Sequence, residues 1–303
     1  MTRIRRIGTL VVCLGALSGA VSTHQAFAQK TATVAPSEGD GDDDTPHKDP
    51  PPKPKEKEPL APKVATVIRD GMVRIPGGTF TMGSSEKGAA ANERPARTAT
   101  APSFWLDRTE VTVGAYRACV ERGACQRPIR ASLQCTYDVG DPMLPVNCIS
   151  FALAKTYCRA VGKRLPREVE WEHAARGPST ARYPWGGAGT SCGMAATLAR
   201  EGTSRACSGK LPAKAGAHAL GASPFGVLDM SGNVEEWVDD WYAENVAEAS
   251  PRAGSAHVLR GGGWLSSPAA ARTTARNWGS VRESGPNVGF RCAKDDSGGM
   301  TNP

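Results

Sequence analysis

Apolar residues fall in three regimes along the chain. Arg3, Arg5 and Arg6 precede an apolar stretch from Ile7 to about Val21, broken by Gly15, Ser18 and Gly19, and Ala26-Phe27-Ala28 follows. A basic start, a short apolar core and small residues at the two positions a signal peptidase reads predict a secretory signal over 1–28, cleaved after Ala28. The stretch is short for a retained membrane anchor, the alternative reading. Residues 29–63 carry almost no apolar pattern. An acidic block over 38–44 and a proline and charge block over 50–59 make this segment a disordered linker, because it cannot bury enough apolar surface to offset its ordering entropy. Patterning resumes over 64–295, the expected domain, and 296–303 reads as a flexible tail.

Within the domain, alternating runs over 72–75 and 79–82 flank Pro76-Gly77-Gly78 and predict a hairpin about a glycine turn. Residues 104–107 read as a further strand, and 113–121 as a helix ended by Gly123. A clearer helix is predicted over 150–161: Ser150 can cap it, Gly162 suits the position after its end, and Phe151, Ala154, Tyr157, Cys158 and Val161 recur at helical spacing. A short helix over 168–175 has an acidic first turn. Beyond Gly177 the chain is rich in Gly, Pro, Ser and Trp, with short strands expected near 258–260, 271–274 and 289–292. Together these predict an α+β domain of low regular structure, stabilised by tryptophan rings and cross-links.

Composition narrows the function. The formal charge of +7 falls to +4 once the three signal arginines are removed, and no basic run with interleaved aromatics suggests nucleic-acid binding. Of nine cysteines, Cys13 lies in the signal, leaving an even eight in an exported chain, which argues for disulfides. None forms a C-x-x-C pair, and the histidines of the domain are far apart, so a cysteine/histidine metal site is not indicated. Proximity suggests Cys192–Cys207, Cys119–Cys125 and Cys135–Cys148, although sequence alone leaves connectivity open.

A series of motifs carries a resemblance: MVRIPGGTFTMG over 72–83, LDRTEVT over 106–112, GKRLP over 162–166, EVEWE over 168–172, YPWG over 183–186, SPFGVLDMSGNVEEW over 223–237, RGG over 260–262 and VGFRC over 288–292. In this order, over about residues 70–293, they resemble the formylglycine-generating-enzyme, or sulfatase-modifying-factor, family. The resemblance implies an irregular, C-type-lectin-like fold and a structural disulfide between Cys158 and Cys292. It also implies structural calcium, held by Asp229, the carbonyls of Gly232 and Val234, and the carboxylate of Glu236. A hard cation wants several oxygens and a sharply turning loop. The alternative for that loop is a purely structural one, stitched by Asn233 and Asp229 to backbone amides. Where a second calcium site would fall, near 191–209, Glu201 is the one acid and a Cys192–Cys207 bond can replace the ion.

The same resemblance makes a departure visible. Oxidising members hold Cu(I) between two cysteines six and eleven residues after the arginine of the RGG motif; counted from Arg260, these positions are Ser266 and Ala271. The serine that normally follows the motif is Gly263. Soft thiolates select Cu(I), so copper is not expected here. The reading is a non-catalytic binding or interaction module of the cell envelope, secreted or periplasmic. A cleft around Trp264, Arg272, Arg276, Asn277 and Trp278 would meet an extracytoplasmic protein, peptide or small ligand. Ion pairing of Arg272 and Arg276 with the domain's own carboxylates is the alternative for those two side chains. The alternative function is a formylglycine-generating oxidase acting on a substrate-protein cysteine, or a related periplasmic tailoring oxidase.

Overall fold

A computed structural model describes residues 66–296, apart from 131, 188 and 249. The expected signal with its cleavage site, the linker, and the tail beyond Asp296 lie outside the described residues. Three sheets and three α-helices make up the regular structure described. The strands are β1 (Ile68–Arg69), β2 (Met72–Ile75), β3 (Gly78–Met82), β4 (Arg97–Ala101), β5 (Phe104–Asp107), β6 (Glu235–Trp241), β7 (Ala256–Arg260), β8 (Arg276–Ser280), β9 (Val288–Gly289) and β10 (Ala293–Asp295). The helices are α1 (Val113–Glu121), α2 (Phe151–Ala160) and α3 (Glu168–Arg176). Sheet orders are β1-β2-β5-β10, β3-β4 and β8-β7-β6-β9, antiparallel throughout except for the parallel β6–β9 pair.

The expected hairpin about Pro76-Gly77-Gly78 is overturned. β2 pairs with β5 and β3 with β4, in one continuous register: Ile75 faces Phe104 and, after the break, Gly78 faces Ala101. The glycines mark a bend in a long two-stranded ribbon, not its turn. Pro76 has no N–H to give the ladder. At Gly77 a Cβ would lie 2.8 Å from the Ser103 nitrogen, so the two chains cross the bend side by side only because that side chain is missing.

Two apolar clusters meet across β6. Trp237 joins Tyr116, Tyr157, Phe151 and Phe290 on one side; Val238 joins Trp171, Val73, Ile75, Phe104 and Val258 on the other. A strand covered on both faces carries no clean alternation, which is why residues 235–241 gave no strand signal in the sequence. α2 begins after Ser150 as expected, but the Ser150 side chain makes no capping hydrogen bond. Residues 271–274 are not a strand. A 3-10 turn over Pro268–Ala271, capped by Ser267, leads instead to β8. All four expected disulfides are present: Cys119–Cys125, Cys135–Cys148, Cys158–Cys292 and Cys192–Cys207. No helix among the described residues is long and apolar enough to cross a membrane.

Candidate functional site

The segment after β7 carries the positions singled out by sequence. Gly263 donates its backbone N–H to Ser266 Oγ at 2.9 Å, and Asn287 Nδ2 donates to the same oxygen at 3.0 Å. Asn287 is itself fixed, because its Oδ1 accepts from the Leu265 N–H at 3.0 Å. Both lone pairs of Ser266 Oγ are therefore engaged. Ala271 is fully buried, and its carbonyl accepts from Ser231 Oγ at 2.7 Å. A Cβ on residue 263 would stand 2.3 Å from Asn287 Oδ1. Gly263, Ser266 and Asn287 form one polar knot, with the Asn287 carboxamide in the space a side chain at 263 would need. Asn287 was not legible as a partner, since only folding brings it against the RGG segment.

A hydroxyl saturated by N–H donors and a buried methyl group do not fit Cu(I), which selects soft thiolates. All eight cysteines of the described residues are in disulfides, so none of them supplies a thiolate.

The expected cleft residues are brought near one another but not into one cleft. Trp264 is buried, its indole N–H donating to the Pro286 carbonyl at 3.0 Å. Arg272 makes a bidentate pair with Glu93 at 2.6 and 2.8 Å. Arg276 is buried against Glu168, with Nε 2.6 Å from Oε1, and lies beneath the Tyr242 ring. The alternative expected from sequence, self-pairing of the two arginines, is the observed arrangement. Burial works to raise the Glu93 pKa, but the hydrogen bonds and charge of Arg272 and Thr274 outweigh it and hold it low. Asn277 and Trp278 alone of the five are exposed. Arg276 also ends a buried charge chain, Arg176–Glu172–Arg260–Glu168–Arg276, that pins α3 to β7 and β8.

Asn277 Nδ2 donates to Glu235 Oε2 at 3.1 Å, and the Glu235 N–H donates to the Asn287 carbonyl at 2.7 Å. Burial, with the Glu283 charge adding to it, pushes the Glu235 carboxyl up to about 7. Glu235 is a site residue the sequence reading missed. The available signal was an acid beside Glu236 inside an otherwise apolar motif.

The expected calcium loop is tightly folded. Asp229, Gly232 and Asn233 have positive φ. Asp229 Oδ2 accepts from the Gly216 N–H, and Asn233 Nδ2 donates to Glu110 Oε1 at 3.0 Å. Asn233 Oδ1 and Glu110 Oε2 are buried without a hydrogen-bond partner among the described residues, and Asp229 Oδ1 has none either but faces His218 Nδ1 at 3.4 Å. Burial raises the Glu110 pKa well above the usual range, and the charges of Asp229 and Glu236 raise it further while Arg291 opposes. Orphaned buried oxygens in a negative environment suit a hard cation. Glu236 is the least suited ligand, because both its oxygens accept from Arg291 at 2.8 Å and Oε2 also accepts from Trp171. No group of three or more His, Cys, Asp or Glu side chains among the described residues is placed to hold a metal, so any ion there would depend on backbone carbonyls such as Gly232 and Val234.

Comparison with known proteins bears on this site. Residues 57–296 match the sulfatase-modifying factor enzyme 1-like domain. The chain is 32% identical to a formylglycine-generating enzyme of Streptomyces coelicolor, over 74% of this chain and 89% of that protein. It is 30% identical to a hercynine oxygenase of Mycolicibacterium smegmatis, over 68% of this chain and 57% of that protein. Among solved structures, PvdO from Pseudomonas aeruginosa superposes with a TM-score of 0.62 at 26% identity, covering 74% of this chain and 94% of that one.

Proposed function

The chain belongs to the sulfatase-modifying factor enzyme 1-like family, and from that membership we propose that it is an exported, non-catalytic member, a binding module of the cell envelope. One observation carries the reading. Where the resemblance expects two copper thiolates stand Ser266, whose oxygen is saturated by Gly263 and Asn287, and the buried methyl group of Ala271. Oxygen activation at Cu(I) needs soft donors that these side chains cannot supply. Export is supported by the basic start, apolar core and Ala26-Phe27-Ala28 of the sequence, and by the pairing of all eight downstream cysteines.

The test is chemical. Purified protein is incubated with Cu(I), oxygen and a peptide bearing the Cys-x-Pro-x-Arg motif of the family's substrates, and the peptide is weighed by mass spectrometry. No aldehyde is expected; its appearance overturns the reading. Thiol titration of the denatured, exported chain is expected to find none, whereas a dithiolate copper site requires two.

The family's calcium belongs to the same proposal. Asp229 and the carbonyls of Gly232 and Val234 would hold it, with Glu236 at its edge, and the buried Asn233 and Glu110 oxygens left without hydrogen bonds support this. Bound there, the ion would supply positive charge to a buried acidic group.

A second reading, a formylglycine-generating or periplasmic tailoring oxidase of another cofactor arrangement, is favoured by Glu235. A buried carboxyl brought to about 7 beside exposed Asn277 is a candidate proton carrier. That reading expects aldehyde formation in the same assay and its loss in Glu235→Gln.

A further inference from the structure

We infer that the cavity beside Trp278 takes a cationic side chain, arginine in the first place, of a peptide partner. This rests on the reading of the chain as a binding module. Arg272 and Arg276 are both spent on internal carboxylates, so neither is offered to an acidic ligand.

The cavity has a volume of about 720 Å³ and is lined by Ala90, Ala91, Asn92, Tyr242, Glu244, Ser255, Ala256 and Trp278. It forms where the apolar face of the β8-β7-β6 sheet outruns its own cover. Trp278 stands directly across from the fully buried Val258, yet 54% of it is exposed. Its ring lies 6.1 Å from that of Tyr242 at an angle of 44°. The lining therefore offers small alanines and an exposed indole backed by the Tyr242 phenol, a surface on which a flat cation stacks.

The polar lining agrees. Glu244 is the one formal charge on the wall, and it is exposed, with no cation paired to it among the described residues. Asn92 gives both its amide protons away, to the Tyr242 hydroxyl at 3.2 Å and to the Arg276 carbonyl at 3.0 Å. The Arg276 carbonyl can only accept, so the amide cannot be flipped, and Asn92 holds the Tyr242 hydroxyl and the β8 backbone in place behind the cavity wall. An unpaired carboxylate beside an exposed indole asks for N–H donors carrying positive charge. A guanidinium meets that request. The chain already uses the same contact internally, where Arg276 lies 5.2 Å beneath the other face of the pair, the Tyr242 ring.

The probe is Nα-acetyl-L-arginine amide, titrated against the intact protein and followed by shifts of the probe's own proton resonances, with Nα-acetyl-L-citrulline amide as a neutral isostere. Saturable arginine binding is expected, with the citrulline probe weaker by about fivefold or more. Trp278→Leu and Glu244→Gln, both at exposed positions, are expected to weaken arginine binding by about two- to fivefold each. Equal binding of the two probes, binding indifferent to Trp278→Leu, or no saturable shift sinks the proposal. Thermal melting of the variants reports separately whether they fold. Aldehyde formation on the Cys-x-Pro-x-Arg peptide would remove the non-catalytic reading, while the arginine and citrulline titrations decide this cavity, so the two fail independently.

Discussion

Gly263 has no side chain, and the Asn287 carboxamide stands in the space. A Cβ there would approach Asn287 Oδ1 to 2.3 Å and its carbonyl to 2.8 Å, too close for either to stay. Gly263→Ser is therefore expected to destabilise the fold by about 1–3 kcal/mol, the usual scale of overpacking, read as a lower urea midpoint. Adding Asn287→Ala should recover only part of that loss, because the Asn287 carbonyl stays 2.8 Å from the new Cβ; a Gly263→Ser protein as stable as wild type would mean the knot is not what excludes a side chain. Glu235 makes a second prediction at this scale. Its carboxyl is raised from 4.5 to about 7, so the folded state holds a proton the unfolded chain has released. The stability tied to that proton is whole below the unfolded value and is lost as pH rises through about 7. Wild type should lose up to about 3 kcal/mol between pH 5 and pH 8 that Glu235→Gln does not lose. Parallel urea titrations of the two proteins would expose the error if their difference stayed flat.

Between elements, the cross-links differ in what they restrain. Cys158–Cys292 ties α2 to the segment before β10 across 134 positions, whereas Cys119–Cys125 closes 6 at the end of α1. Loop-closure entropy gives about 5 kcal/mol for the first and about 2 kcal/mol for the second, if the denatured chain is unstructured. Replacing each pair by alanines should reproduce that order in guanidinium unfolding; a larger loss from Cys119–Cys125 would place the effect in native packing instead. The bent ribbon is a different lesson at this scale. Its alternation was readable over 72–75 and 79–82, but the partner strands were not, because period-2 patterning says which face is apolar and nothing about who pairs.

At the scale of the whole molecule, buried charge holds the parts together. α3 is buried almost all round, and Glu172 and Glu168 reach Arg260 and Arg276 on β7 and β8. Around Asp229 and Glu110 a further buried acidic group leaves one oxygen of each without a hydrogen bond, with His218 3.4 Å from that of Asp229. Calcium should raise the melting temperature by about 5–10 °C at a hundredfold excess over Kd, and chelation should reverse the rise. Asp229→Ala should abolish the response. A melting temperature indifferent to calcium in wild type would leave the loop a structural one.

The sequence by itself determined the family, the fold class, the helices and that its eight downstream cysteines pair, because motif order, helical spacing and an even cysteine count are properties of a string. It also determined that Ser266 and Ala271 stand where thiolates were expected, since that is a matter of counting from Arg260. Only the tertiary structure decided what surrounds them. Asn287 meets Ser266 across 21 positions, Glu93 meets Arg272 across 179, and Asn92 meets the Arg276 carbonyl across 184. The strand β6 was hidden for a related reason: burial on both faces erases alternation. Whether an arginine faces a ligand or a carboxylate of its own chain is set by which distant residue the fold brings within about 3 Å, and charge, hydrogen bonding and exposure are settled only at that distance.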